Sequence, residues 1–480
     1  MKKTLFIAFF ALILGPVTAQ TTEKKWTLQE CVQYALEHNI TIKQSELDQQ
    51  LAEIDHKSAV GNFLPSFNAS ARHSWNIGLN QNITTGILEN QTIQFTSVGF
   101  NTGIDIYKGL QNQNRLRRST LAELAAQYQL SKIKDDISLN VANAYLQILF
   151  NKESLKVQNQ LLALDEQQLK RSEELVAAGS IPKGDLLDNQ ATVASDQQKV
   201  IVAENALLIS RLSLAQLLQL EKIDDFDIAD TDYPANQSSV MLQKPEDVYQ
   251  KAKTFRIELK IAETNTKLAE KDVQIARGAY QPTLQGFYSF STRASDANRI
   301  TGAQLNTTNP TIESGSFVTV GGVTYPVMQP NVQYLFGKAE PMFDQFSLNK
   351  GHNFGIQMDI PIFNGFAARN AVAKSKVMLE KSKNTQKQSE LDLQKTVYTV
   401  YTDAQGAFKS YQSADRALQS RQKAFDYARE RYAVGLMNSF DFNQAQALYA
   451  NAQSEALRTK YDFIFRTKIV ELYFGIPIFK

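Results

Sequence analysis

The stretch EELVAAGSIPKGDLLDNQ, residues 173–190, closes one long helical pattern and opens another, and RERYAVGLMNSFDFNQAQ at 429–446 is its twin. At this offset of 256, Gly179 matches Gly435, Asp185 matches Asp441 and Gln190 matches Gln446. Glycine ends a helix because it reaches the left-handed conformation without a Cβ clash, and an aspartate soon afterwards suits the positive first turn of a new helix. Each copy therefore reads as the tight tip of a long helical hairpin.

Outward from the tips the pattern stays helical. Upstream of the first, about Ser119 to Ala178 reads as a single helix, with Ile148, Leu155, Leu162, Leu169 and Val176 recurring every seven residues. That spacing is the packed seam of supercoiled helices. The remaining surface is mostly Gln, Asn, Ser, Lys and Glu, so the helix needs a neighbour along a narrow stripe and water elsewhere. The other long patterns run from Asp185 to about Leu220, from Ala367 to Ala433 and from Asp441 to Tyr473. Alanines such as Ala404, Ala407, Ala414 and Ala417 allow close helix approach or simply favour helix. No proline interrupts 66–181 or 362–476, whereas six fall within 282–361.

A second correspondence, at an offset of 217, precedes the long helices. Gly61 matches Gly278, Pro65 matches Pro282, and Leu51-Ala52-Glu53 matches Leu268-Ala269-Glu270. The first of these helical patterns opens at Trp26-Thr27-Leu28, where Thr27 and Glu30 have the spacing of a capping box, and continues to about Val60. After each proline the period shortens towards alternation, which predicts strand hairpins at about 66–107 and 283–363, the second carrying a surface insertion at 294–350 rich in Asn, Thr, Gly and Pro. The chain thus divides into a leader (1–19), a first repeat (20–220), a linker or belt (221–243) and a second repeat (244–480).

Residues 1–19 combine Lys2 and Lys3, an apolar run and Val17-Thr18-Ala19, the parts of a secretory signal peptide. Lysine and arginine number 51 against 49 acidic residues, so without the leader the formal charge balances and gives no case for a nucleic-acid partner. Cys31, the single cysteine, has no intramolecular partner and suits a buried helix position. Beyond the leader no run of about 18 apolar residues occurs, so a membrane span would have to be made of strands. Four strands cannot close a barrel, which takes about eight or more, and lipid tolerates no open sheet edge. Three chains resolve the conflict by supplying twelve strands.

At this point the sequence resembles the outer-membrane efflux proteins of the TolC type. The resemblance rests on TLQECVQYALEHN at 27–39, on Gly61/Pro65 and Gly278/Pro282, on IYKG at 106–109 and PIFNG at 361–365, and on both tips, all in order. It implies an α+β membrane protein in which a duplicated helix–strand-hairpin–helix repeat builds a homotrimeric 12-stranded outer-membrane β-barrel continuous with a long periplasmic α-helical barrel. It implies export through a passive channel, with a periplasmic adaptor (membrane fusion) protein and an inner-membrane transporter as partners and outer-membrane lipid as surroundings.

In that family acidic side chains gather at the closed aperture, which points to Asp185, Asp188 and Asp441, with Gln444 where the family's second aspartate stands. Asp185 and Asp441 also suit the first helical turn for reasons of dipole alone. Val434-Gly435-Leu436 resembles the family's adaptor-docking turn, with Ala178-Gly179-Ser180 as its counterpart. Trp75, Tyr107, Phe287, Tyr288 and Phe290 fit a membrane-interface girdle or plain strand packing. His38, His56, His73 and His352 lack ligand spacing, and there is no phosphate loop or nucleophile elbow, so no metal, cofactor or catalytic residue is expected. The alternatives are a periplasmic coiled-coil scaffold or adaptor, which has no need of strand hairpins, and a cell-wall enzyme.

Overall fold

A computed structural model describes residues 25–81, 86, 88–222, 226–230 and 238–476. The leader lies outside the described residues. Thr27 and Glu30 form the capping box: the Glu30 N–H donates to Thr27 Oγ1 at 3.3 Å, and the Thr27 N–H donates to Glu30 Oε2 at 2.9 Å. It opens α1 (Leu28–His38), and α2 (Ile40–Gly61) follows as a separate helix, where the sequence predicts one continuous pattern. Asn39 makes the break. Its backbone is extended, its Oδ1 accepts from the Thr41 N–H at 2.9 Å, and its Nδ2 donates to the Leu217 carbonyl at 2.9 Å. At the matched position Arg256 separates α5 (Pro245–Phe255) from α6 (Ile257–Gly278).

The chain divides into two compact units, one taking residues up to Glu53, Leu121–Lys267 and Glu380 onward, the other Ile54–Thr120 and Leu268–Leu379. Each unit therefore draws on both halves of the sequence. The first contains α1, α4 (Lys183–Leu218), α5, α9 (Ser439–Tyr473) and most of α3 (Gln111–Ala177) and α8 (Ala367–Ala433). One core gathers Cys31, Tyr145, Ile148, Leu214, Leu218 and Ile228, all fully buried. Burial pushes the Cys31 thiol up to about 12, so it is an inert core residue.

Two short strands, β1 (Lys25–Trp26) and β4 (Asp227–Ile228), pair in parallel beside this core. The Tyr145 hydroxyl donates to the Ala229 carbonyl at 3.1 Å, and Lys152 Nζ reaches Asp227 and Asp230 at 2.9 Å each. A second core packs Val240 and Met241, from the 3₁₀ turn Ser239–Leu242, against Val248, Ala252, Leu393, Val397 and Val470. The described parts of 221–243 are therefore built into the helical unit.

The second unit carries an antiparallel sheet of β2 (Ser66–Gln81), β3 (Leu88–Lys108), β5 (Thr283–Ser295) and β10 (Gly351–Asp359), in the order β10-β5-β3-β2. Its register sorts the side chains by polarity. Phe67, Ala69, Ala71, Trp75, Ile77 and Leu79 of β2 share a face with Val98, Phe100 and Ile104, with Tyr288 and Phe290, and with Phe354, Ile356 and Met358. The opposite face presents Asn68, Ser70, Arg72 and Ser74, then Ser97 and Asn101, then Gln285 and Ser289, then Asn353 and Gln357. The apolar face is uncovered: Trp75, Ile77, Phe354, Ile356 and Met358 are all exposed. β2 and β10 are edge strands with no further neighbour among the described residues. Of the aromatics grouped from sequence, Phe287 falls on the polar face, and Tyr107 sits past a bulge with its hydroxyl bonded to Gln281.

The insertion is more ordered than its composition predicts. It contains β6 (Arg299–Leu305), β7 (Thr311–Val320), β8 (Val323–Pro330), β9 (Val332–Gly337) and a short α7 (Met342–Leu348), with β6 paired to β9 and β7 to β8. Gln345 of α7 clasps the end of β5, its Oε1 accepting from the Ser295 N–H at 2.9 Å and its Nε2 donating to the Ser295 carbonyl at 2.8 Å.

Among the described residues α4 is the one helix long and apolar enough to cross a membrane by composition, which the sequence reading does not anticipate. Its apolar residues divide between buried Val193, Val200 and Leu214 and exposed Ile201, Val202, Leu208, Ile209 and Leu212. Buried Asp196 lies within the same helix, on the side that packs into the hairpin.

Candidate functional site: the helical tips

Both tips end their helices with the same hydrogen bonds. After α3 the Gly179 N–H donates to Val176 and the Ser180 N–H to Leu175, each at 2.9 Å, with Gly179 at φ +74. After α8 the Gly435 N–H donates to Tyr432 at 3.1 Å and the Leu436 N–H to Arg431 at 2.8 Å, with Gly435 at φ +77. This is a Schellman closure, in which the residue past the helix must be left-handed, and it explains both glycines without any functional role.

The following helices start differently. Asn438 caps α9, its Oδ1 accepting from the Asp441 N–H at 2.8 Å, whereas α4 starts after Pro182, which has no side-chain cap. Asn438→Ala is expected to lower the unfolding free energy of the tip by about 1 kcal/mol, read as faster amide exchange in the first turn of α9 with α4 unchanged.

Asp185 and Asp441 are each the third residue of their helix. Asp185 is half-buried, while Asp188, Asp441 and Gln444 are exposed, and no hydrogen bond joins the α4 pair to the α9 pair among the described residues. Ala178, Gly179, Ser180 and Gly435 are exposed, and Val434 and Leu436 each keep 70% of their surface in water. Two aliphatic side chains therefore stand in water on either side of the Gly435 turn.

Sequence reasoning missed what lies behind the tips. The seven-residue series starts in the core at Ile148, but from Leu155 to Val176 it is only half-buried and flanks the buried line of α3, which near the tip includes Asp165 and Ser172. On α4 the buried line includes Asn189, Asp196, Ala203 and Ser210, again seven apart. Polar residues at heptad spacing were the available signal. Asn189 Nδ2 donates to Ser172 Oγ at 2.6 Å, and Gln446 Nε2 of α9 donates to Asp165 Oδ1 at 2.7 Å.

Further bonds tie the two hairpins together. Gln168 Nε2 donates to the Tyr432 hydroxyl, and Arg171 Nη2 donates to the Ala433 carbonyl at 2.9 Å. Tyr432 stacks on Phe442 with 4.6 Å between ring centroids, and Phe425 stacks on Tyr449 at 5.2 Å. The tip is thus a bonded, aromatic-backed end of the helical unit with exposed acidic and aliphatic side chains.

Residues 31–219 and 346–464, more than half of the chain, match the family described as Outer membrane efflux protein. The chain belongs to the outer membrane efflux protein family. Members of this family are outer-membrane transport channels. This efflux protein is 22% identical over 391 residues to the pyoverdine export outer membrane protein OpmQ of Pseudomonas aeruginosa, covering 78% of this chain and 69% of that one. It is 25% identical over 289 residues to the cation efflux system protein CusC of Escherichia coli, covering 58% of this chain and 59% of that one. Its fold is that of the outer membrane protein VceC of Vibrio cholerae, with a TM-score of 0.72 at 14% identity over 93% of this chain and 96% of VceC.

Proposed function

We propose that three copies of this efflux protein close a twelve-stranded barrel in the outer membrane and conduct substrates passively, by a tunnel of their long helices, out of a tripartite export system. The observation that carries this reading is the four-stranded sheet. One face is apolar and uncovered, the other is polar, and both edges are unpaired among the described residues. Lipid would cover the first face, a watery lumen the second, and neighbouring copies the edges. A soluble scaffold or adaptor has no use for such a sheet. Among the described residues no arrangement of groups suited to catalysis favours an enzyme reading.

On this reading the repeats 20–220 and 244–480 each supply one strand hairpin and one helical tip. Threefold symmetry would turn Asp185, Asp188 and Asp441 into carboxylate rings at the periplasmic aperture, with Gln444 a neutral ring beside them. Val434 and Leu436, with Gly435 holding their turn, would receive the apolar side chains of a periplasmic adaptor, and Ala178-Gly179-Ser180 would offer a smaller counterpart. The adaptor links the channel to an inner-membrane transporter, which chooses the cargo.

Purified protein should run as a trimer in detergent and conduct in planar bilayers. Changing Asp185, Asp188 and Asp441 together to Asn should alter single-channel conductance severalfold and reduce cation preference, because fixed charge at a constriction sets local ion concentration. Unchanged conductance would sink the aperture assignment, and a soluble monomer would sink the barrel. In the same preparation Leu436→Glu should abolish cross-linking to the adaptor while the trimer persists.

A further inference from the structure

Asp165 is 3% exposed and Asp196 is 6% exposed, and they face each other across the first hairpin, Asp165 from α3 and Asp196 from α4. One heptad nearer the tip Asn189 bonds Ser172, and the same antiparallel register sets Asp196 against Asp165; two carboxyls so placed share a hydrogen bond only if one of them holds a proton. The surroundings decide which. Lys199 Nζ lies 2.8 Å from Asp196 Oδ1 and favours a carboxylate there, whereas Asp165 Oδ2 is buried and meets no donor. Burial first, and then the bond to Asp196, push Asp165 up to about 7 against the pull of the Gln446 donor. Asp196 is itself raised by burial, but its bonds from Asp165 and Lys199 outweigh this and hold it below the usual carboxylate range.

We propose that Asp165 and Asp196 form a binding site for a single proton, and that this proton ties α3 to α4 behind the tip. The other elements leave the site to these groups. α9 contributes the neutral Gln446, the aromatic cluster of Phe425, Tyr432 and Phe442 from α8 and α9 packs against neighbouring Leu164, and the charges acting on Asp165 among the described residues are Asp196 and Lys199. Loss of the proton to water leaves two carboxylates in contact in a buried seam, a geometry that like charges do not tolerate. The seam then parts and hydrates, and α9 moves with α3 through Gln446. The site lies fourteen residues before Gly179, roughly 20 Å along the helix at 1.5 Å per residue, so parting would reach the tip.

The sign follows from linkage. The closed seam holds the proton up to about pH 7, whereas an opened, solvated Asp165 releases it near its ordinary 3.8. The tie is complete at acid pH, weakens about tenfold per pH unit between these limits, and is gone above pH 7. That the aperture responds rests on the proposed channel reading; the proton site does not.

The full-length trimer in detergent tests the site by infrared titration and by hydrogen exchange of residues 160–200, with Asp165→Asn compared at each pH. The wild type should show a protonated-carboxyl band at pH 6 that disappears above pH 8, and Asp165→Asn should lack it. Exchange corrected for intrinsic rates should rise with pH in the wild type and stay level in Asp165→Asn, whose amide keeps the shape without the charge. A wild-type spectrum without a band removed by Asp165→Asn overturns the proposal, and so does equal corrected exchange in both proteins. Bilayer opening that ignores pH while band and exchange behave as expected overturns the link to the aperture alone.

Discussion

Gly278→Ala is expected to destabilise this efflux protein by about 3 kcal/mol, while Gly61→Ala, the same change at the matched position of the other repeat, is neutral or slightly stabilising. A Cβ on Gly278 would stand 2.5 Å from the Gly109 carbonyl oxygen and 2.5 Å from Gln111 Cγ, and the first of these is backbone that cannot swing aside. A Cβ on Gly61 meets nothing within 4 Å. Neither glycine is in the left-handed region, so the difference is one of space, and alanine in a helix otherwise gains up to about 1 kcal/mol over glycine. Gly109 is tighter still: its φ of +57 excludes most side chains, and its α-carbon faces the Gly278 carbonyl. Thermal unfolding of the two alanine variants in detergent checks the prediction, and equal midpoints would refute the close approach.

The second large effect lies at Arg256, which is 6% exposed. Its Nε donates to Glu258 Oε2 at 3.0 Å, a second guanidinium nitrogen bonds Glu258 Oε1, and the guanidinium lies 4.5 Å from the centroid of the Tyr473 ring. Burial by itself raises Glu258, but the Arg256 bonds and charge outweigh it and hold that carboxyl below its ordinary 4.5. Arg256→Met should cost about 2–3 kcal/mol near neutral pH, less than breaking a fully buried pair because the Glu258 side chain stays 30% exposed and is partly solvated. In the wild type the depressed Glu258 contributes stability above pH 4.5 that is lost as pH falls through the folded value. The variant lacks this contribution, so the gap between the two proteins should narrow below about pH 4 in urea titrations.

Repetition made much of the fold legible. Matching Gly179 to Gly435 and Pro65 to Pro282 marks tips and hairpins in the sequence, because these helix ends carry glycine or proline. Periodicity failed where a single side chain decides: Asn39 splits a helix whose apolar rhythm continues across it. It failed again at the seam, where an apolar heptad draws attention to half-buried Leu162 and Leu169 while the buried line near the tip includes Asp165 and Ser172. The insertion escaped because its turn-rich composition hides two paired ribbons whose residues stay largely exposed. The acidic and aliphatic tip residues drew attention through family resemblance, and the proposed rings they would form depend on a symmetry that one sequence does not carry.

The outward row of Ile201, Val202, Leu208, Ile209 and Leu212 on α4 has a consequence for biogenesis. On the proposed trimer reading, in which a neighbouring copy covers this row, a newly secreted chain travels with this grease on show until another subunit arrives. Assembly is therefore a race against clumping, won by holding factors, by low concentration of free subunits, or by meeting partners quickly. Overproduction should tip the race, so yield of intact channel will be limited by subunit encounter rather than by synthesis.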